Sequence, residues 1–214
     1  MSDINFIFEI LKGVPYYNFN DGFQLPMIWF IINVFIIFSL ANYIYDDFKN
    51  NGKYILIRVK KVKYFYFAKV FWSICNVFIY YIMLFIMMLI VSRIFLYKSN
   101  KLIVIEGINM NRDELIIKLF FLYYTTSTAL ALLQNTISLI LKPAYSYLLI
   151  LLLIAISVFT VSNLLPGQHS LILRHVPFDN IHGLVFMKSM IYNFVLSIFS
   201  IITGYLIFSK KDIL

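Results

Sequence analysis

Five stretches without a single Asp, Glu, Lys or Arg divide this chain: residues 22–45, 70–92, 119–141, 143–173 and 189–209. A bilayer's hydrocarbon core is about 30 Å thick and takes about 20 apolar residues in one α-helix. Each stretch is long enough to cross once, and 143–173 is too short to cross twice with a turn. The sequence therefore predicts an all-α, polytopic integral membrane protein with five transmembrane helices, at approximately 25–45, 70–92, 117–141, 145–165 and 188–208. The runs are apolar all round, as helices facing lipid should be. Only short connectors remain, so 1–214 reads as a single transmembrane domain.

Composition agrees. The chain is 62% hydrophobic and 13% charged, where a soluble domain is about a quarter charged. Its net charge of +8 does not point to nucleic acid, because the basic residues sit between apolar runs. Cys75 is the single cysteine, which excludes an intramolecular disulfide and a thiolate zinc site. The abundance of Ile, Phe, Tyr, Asn and Lys suits AT-rich codons and hints at a bacterial source.

Orientation follows from Lys and Arg in short loops. Five spans put 46–69, Lys142 and the C-terminal tail on one side with ten basic residues, against eight on the other. Seven of the ten crowd into 46–69, which places that connector and the C-terminus in the cytoplasm and the N-terminus outside. Near the start, Ile4, Ile7, Phe8 and Leu11 share one helical face, so residues 3–12 are expected to lie on the membrane surface as an interfacial helix.

The connector 46–69 contains an Asn50-Asn51-Gly52 turn signal. Apolar and basic residues then alternate, and aromatics follow. It is too charged to cross a bilayer and too apolar for free solution. One reading is a positive-inside anchor; the other is an element that presents an apolar, basic ridge to a cytoplasmic partner.

Several motifs converge here. Pro26 and Trp29 open the first long run, which closes on Tyr43-Ile44-Tyr45-Asp46-Asp47. Gly52 and the Ile55–Lys60 run Ile-Leu-Ile-Arg-Val-Lys come next, then aromatics and Lys69. The chain closes with Phe208-Ser209-Lys210-Lys211-Asp212-Ile213-Leu214. Together they resemble the ABC-2-type permeases, the membrane subunits of bacterial ATP-binding-cassette exporters, especially the small members associated with bacteriocins and other peptides. The resemblance implies that a coupling helix docks on a separate ATPase subunit. Carried onto this chain, that segment holds Gly52, Ile55, Ile57, Arg58, Lys60, Lys61 and Lys63. It also implies a second permease chain, identical or paralogous, and short outer helices before the last span. The family norm is six spans. Residues 1–25 look like the outer loop that follows the family's first helix, so five true spans, an upstream start and a span from a partner chain stay open.

Enzyme signatures are missing. The sequence has no Gly-x-x-x-x-Gly-Lys-Ser/Thr loop and no His-Glu-x-x-His pair. Its acidic residues all fall outside the apolar runs, and no Gly-x-Ser-x-Gly turn occurs. The expectation is a non-enzymatic subunit without a cofactor of its own, ATP being bound by the partner. His169, His175 and His182 share one outer loop at spacings that match no compact metal site, and are expected to be solvated or interfacial. That loop, 166–188, begins Pro-Gly and is expected to enter the outer leaflet as a broken helix. Within the spans, Thr125, Thr128, Gln134 and Asn135 are either interhelical glue or the lining of a substrate path. Such a path would suit an amphipathic or cationic hydrophobic cargo. The reading from another class is a non-transporting immunity or scaffold protein that binds a toxin or partner.

Overall fold

The computed structural model describes residues 3–16, 25–41, 43, 62–96, 102–105, 108–179 and 182–210. They form helices α1 (Asp3–Leu11), α2 (Met27–Leu40) and α3 (Val62–Leu96), and a hairpin of β1 (Leu102–Ile105) and β2 (Ile108–Asn111). Helices α4 (Arg112–Ser138), α5 (Pro143–Phe159) and α6 (Phe186–Ser209) follow, with two 3-10 turns, Pro166–Ser170 and Ile172–Arg174, between the last two. The described residues are predominantly helical, as the sequence predicts, with this one short hairpin between α3 and α4: Leu102 pairs with Asn111 and Ile105 with Ile108, antiparallel.

Three helices, α3, α4 and α6, are long and apolar enough to cross a membrane. The α2 and α5 helices are apolar but shorter, 14 and 17 residues, about 21 and 26 Å at 1.5 Å per residue. The five apolar runs are thus five helices, with different limits from those that hydropathy alone gives. The largest shift is in α3, which starts at Val62 instead of 70. The last residues of the 46–69 connector are its first two turns, because Phe65, Tyr66 and Val70 are buried there against Leu132, Leu139 and Phe208. Residues 46–61 lie outside the described residues.

Helix α4 is the least hydropathic of the three long helices and the most enclosed: 61% of its most apolar window is buried, against 17% in α3 and 22% in α6. Polar side chains at membrane depth favour protein neighbours over lipid, and α4 carries the densest set. It sits at the centre of the bundle and touches the other five helices. The outer faces of α3 and α6 expose a continuous apolar surface, including Phe71, Ile79, Met83, Phe194, Val195 and Phe199.

Helix α1 does not use its apolar face on a membrane surface. Ile7, Phe8 and Leu11 are buried in the main core with Trp29, Tyr81 and Tyr123. The Tyr123 hydroxyl donates to the Leu11 carbonyl at 2.8 Å, and the Leu173 amide to that of Lys12 at 3.3 Å. Gly13, at φ +74°, makes the turn that follows, with Leu171 packed where a Cβ would stand.

The expected broken helix is present, but inside the protein. Helix α5 stops at Phe159, Thr160 turns extended, and the chain re-enters so that residues 166–175 are all buried. A helix end leaves four carbonyls without partners, and here Arg174 supplies donors. Its Nη1 donates to Ser157 O (2.9 Å) and Thr160 O (3.3 Å), and its Nη2 to Val158 O (2.5 Å) and Pro15 O (3.3 Å). The Nε donates to Val14 O at 3.4 Å, and the guanidinium lies 4.7 Å from the centre of the Tyr16 ring. The side chain is 0% exposed, and no carboxylate pairs with it among the described residues. Burial lowers its pKa to about 10, opposed by Tyr16, so it remains a cation at neutral pH. A cation at a helix C-terminus also meets the negative end of the helix dipole. We predict that Arg174→Met, which keeps the stem and removes the donors, destabilises the protein by about 3 kcal/mol or more. Arg174→Lys should recover only part, since an ammonium cannot span the same carbonyls. Thermal unfolding in detergent, followed by tryptophan fluorescence, checks this; a loss below about 1 kcal/mol for Arg174→Met would contradict the cage.

Candidate functional site

Two polar sets lie inside the bundle: the expected stripe on α4 and an unexpected cluster where the 3-10 turns meet α6.

The stripe connects α4 to its neighbours. Ser127 Oγ donates to Asn33 Oδ1 of α2 at 3.0 Å, so at 2.6 Å the Tyr81 hydroxyl of α3 is the donor and Ser127 the acceptor. The Asn33 amide nitrogen donates to Trp29 O at 2.9 Å, which fixes the orientation of that amide. The Trp29 indole N–H donates to Ser170 Oγ at 2.9 Å and ties α2 to the first 3-10 turn. Toward α6, Asn193 Nδ2 donates to Thr126 Oγ1 at 2.9 Å and to Thr125 Oγ1 at 3.4 Å. Thr136 Oγ1 donates to Ser200 O at 2.8 Å.

The four residues singled out from sequence occupy distinct positions on this stripe. Thr125 is half-buried and donates to Phe121 O at 2.7 Å. Thr128 is buried and donates to Tyr124 O at 2.7 Å. Asn135 reaches α3, its Nδ2 donating to Ser73 Oγ at 3.0 Å. Gln134 is fully buried, and neither of its amide atoms has a hydrogen-bond partner among the described residues. The described cavities lie elsewhere. A groove of about 330 Å³ runs between Ile86–Arg93 of α3 and Asp113–Ile116 of α4, and a smaller cavity adjoins His175 and Lys118.

Of the coupling-segment residues, Gly52, Ile55, Ile57, Arg58, Lys60 and Lys61 lie outside the described residues, and Lys63 is exposed on the first turn of α3. The helix that this segment leads into is firmly held. Lys69 Nζ donates to the Tyr43 hydroxyl at 2.9 Å, and the Tyr43 ring stacks on Trp72 with centroids 3.6 Å apart. The Tyr66 hydroxyl donates to Ile201 O of α6 at 3.0 Å, and Phe65 stacks on Phe208 at 5.8 Å. Gly204 leaves the space that the Tyr66 hydroxyl occupies; a Cβ there would overlap it.

The second set corrects the expectation of solvated histidines. His169 and His175 are each 3% exposed, and only His182 faces outward. Their rings converge on Ser189 of α6: His169 Nδ1 lies 2.9 Å and His175 Nε2 3.0 Å from Ser189 Oγ. The far nitrogens face backbone carbonyls, His169 Nε2 to Asn163 O at 3.2 Å and His175 Nδ1 to Leu171 O at 3.0 Å. Burial lowers both imidazole pKa values from 6.5 to about 4. No group of three or more metal-ligating side chains occurs among the described residues. A signal for this cluster was present in the sequence: a loop holding Leu171-Ile172-Leu173 and Val176-Pro177-Phe178 is too apolar for water. Once buried, its polar groups need internal partners.

We predict that Tyr81 and Ser127 are coupled by about 0.6–1.7 kcal/mol. A double-mutant cycle of Tyr81→Phe and Ser127→Ala, read by unfolding in detergent, measures it; strictly additive effects would contradict the bond.

Neither a curated protein nor a solved structure matches the chain. The family model described as "Protein of unknown function (DUF2705)" matches residues 1–214, and the chain belongs to that family.

Proposed function

We propose that the chain is the membrane-spanning permease subunit of an ATP-driven exporter of the ABC-2 type, resident in a bacterial cytoplasmic membrane. In this reading all five apolar helices cross, the 46–61 connector and the C-terminus face the cytoplasm, and the cargo is a peptide or other amphipathic molecule. A separate ATPase docks on the connector, and a second permease chain completes the pathway.

The observation that carries the reading is the form of α3. It is 35 residues without a break, about 52 Å, and so outreaches a hydrocarbon core of about 30 Å. Its first three turns are clamped to Tyr43 through Lys69 and Trp72, and to α6 through Phe65 and Tyr66. A push on the adjoining connector is therefore delivered to a rigid rod and to the last helix together. Nucleotide-driven closure of an ATPase needs such an element to become helix tilting.

The rival, a membrane immunity or scaffold protein, is favoured by one specific observation. Asn135 directs its amide nitrogen to Ser73 of α3, as interhelical glue does.

Co-purification separates the two. The tagged protein in mild detergent should bring down an ATPase subunit, and a variant with Arg58→Glu, Lys60→Glu and Lys61→Glu should lose it. An ATPase absent from both preparations would overturn the exporter reading in favour of the rival.

A further inference from the structure

The His169–Ser189–His175 cluster can be read by counting protons. A backbone carbonyl only accepts, so the ring nitrogens facing Asn163 O and Leu171 O must each carry a hydrogen. That leaves His169 Nδ1 and His175 Nε2 as lone-pair nitrogens when both rings are neutral. Both aim at one hydroxyl, at 2.9 and 3.0 Å. Ser189 Oγ has a single hydrogen and no other hydrogen-bond partner among the described residues. It can serve one ring, and the other then meets it lone pair to lone pair. One added proton removes the mismatch: the protonated ring donates to the serine oxygen, and the serine hydroxyl donates to the neutral ring.

We propose that His169, Ser189 and His175 form a buried binding site for one proton, held as an N–H⁺···O–H···N chain between the turns and α6. The proton comes from solvent and leaves to it, and no other bond changes. A second proton is excluded, because the serine would then face two donors with no ring nitrogen left to accept its hydrogen. The surroundings restrain affinity. Tyr192 of α6 stacks on His169 at 4.3 Å, and Lys118 of α4 lines the small cavity beside His175 while paired with Glu114 at 2.6 Å. Arg174, next in the chain, is committed to its carbonyl cage with Tyr16 from the N-terminal segment. Exposed Lys188 adjoins Ser189 on α6, and Asp179 and His182 sit further along the loop. The positive neighbours and burial oppose a charge and the hydroxyl bridge favours it. The first proton therefore enters below the ordinary histidine value of 6.5.

The chain has three histidines in all, so ¹⁵N-histidine labelling gives a spectrum of three imidazoles, and His182→Gln assigns the exposed one. In the detergent-solubilised wild type at pH 8, His169 should be the Nε2–H and His175 the Nδ1–H tautomer. On acidification the two should move together through one step that takes up one proton in total. Ser189→Ala should lower that step by about one pH unit and separate the two rings, and Ser189→Thr should restore it. Rings that titrate independently, take up two protons, or stay neutral until the protein unfolds would overturn the site. The proposal is independent of the exporter reading, since it concerns this chain alone.

Discussion

The five donors of Arg174 meet five backbone carbonyls, and much of the molecule depends on that match. Three carbonyls, those of Ser157, Val158 and Thr160, belong to the end of α5; two, those of Val14 and Pro15, belong to the N-terminal segment. A buried carbonyl without a partner costs about 1–3 kcal/mol, so leaving these open would make the re-entrant turns untenable. A guanidinium is suited to the task because its donors are planar, fixed and numerous. A carboxylate partner would have consumed those donors. Its replacement by main-chain oxygens lets one side chain join α1's exit, α5's end and the turns leading to α6.

From that junction the packing proceeds in both directions. Toward the hairpin end, Trp29 brings α2 and Leu173 the N-terminal segment onto the turns, and Tyr123 ties α4 to that segment, each through a single hydrogen bond. Toward the opposite end, the polar stripe of α4 meets α3 and α6 one bond at a time, and the aromatic set around Tyr66 closes the bundle. The helices that surround α4 keep their apolar sides outward. Such a body has a firm interior and a lipid-compatible exterior.

Much of this was legible in the sequence, because charge-free runs report helices without regard to partners. The order and number of the five apolar helices, α2 to α6, follow from them. Their limits do not, since hydropathy cannot tell a helix residue from an apolar residue in a buried turn. Residues 160–173 carry no charge although α5 has ended, with 166–173 buried, and Tyr64–Phe67 are helical although lysines flank them. The face of α1 was visible as amphipathic, but a periodic apolar face does not say whether protein or lipid covers it. The histidines were misread for a related reason. Spacing along the chain is no guide when two 3-10 turns fold His169 and His175 back onto a serine from the next helix. The polar stripe on α4 was seen directly, because hydroxyl and amide residues are conspicuous in an apolar run; the partners that it found could not be.

The proposed orientation puts the buried turns of the bundle at the end that faces away from the cytoplasm. Single cysteines in a Cys75→Ser background, probed on intact cells with a membrane-impermeant maleimide, test it most directly. Val176, 53% exposed on the loop, should label as Val176→Cys, whereas Lys210→Cys should label only after the membrane is opened. Ser170→Cys, at a position 0% exposed, should resist the reagent in both cases. Labelling of Lys210→Cys in intact cells, or of Ser170→Cys under native conditions, would contradict the account.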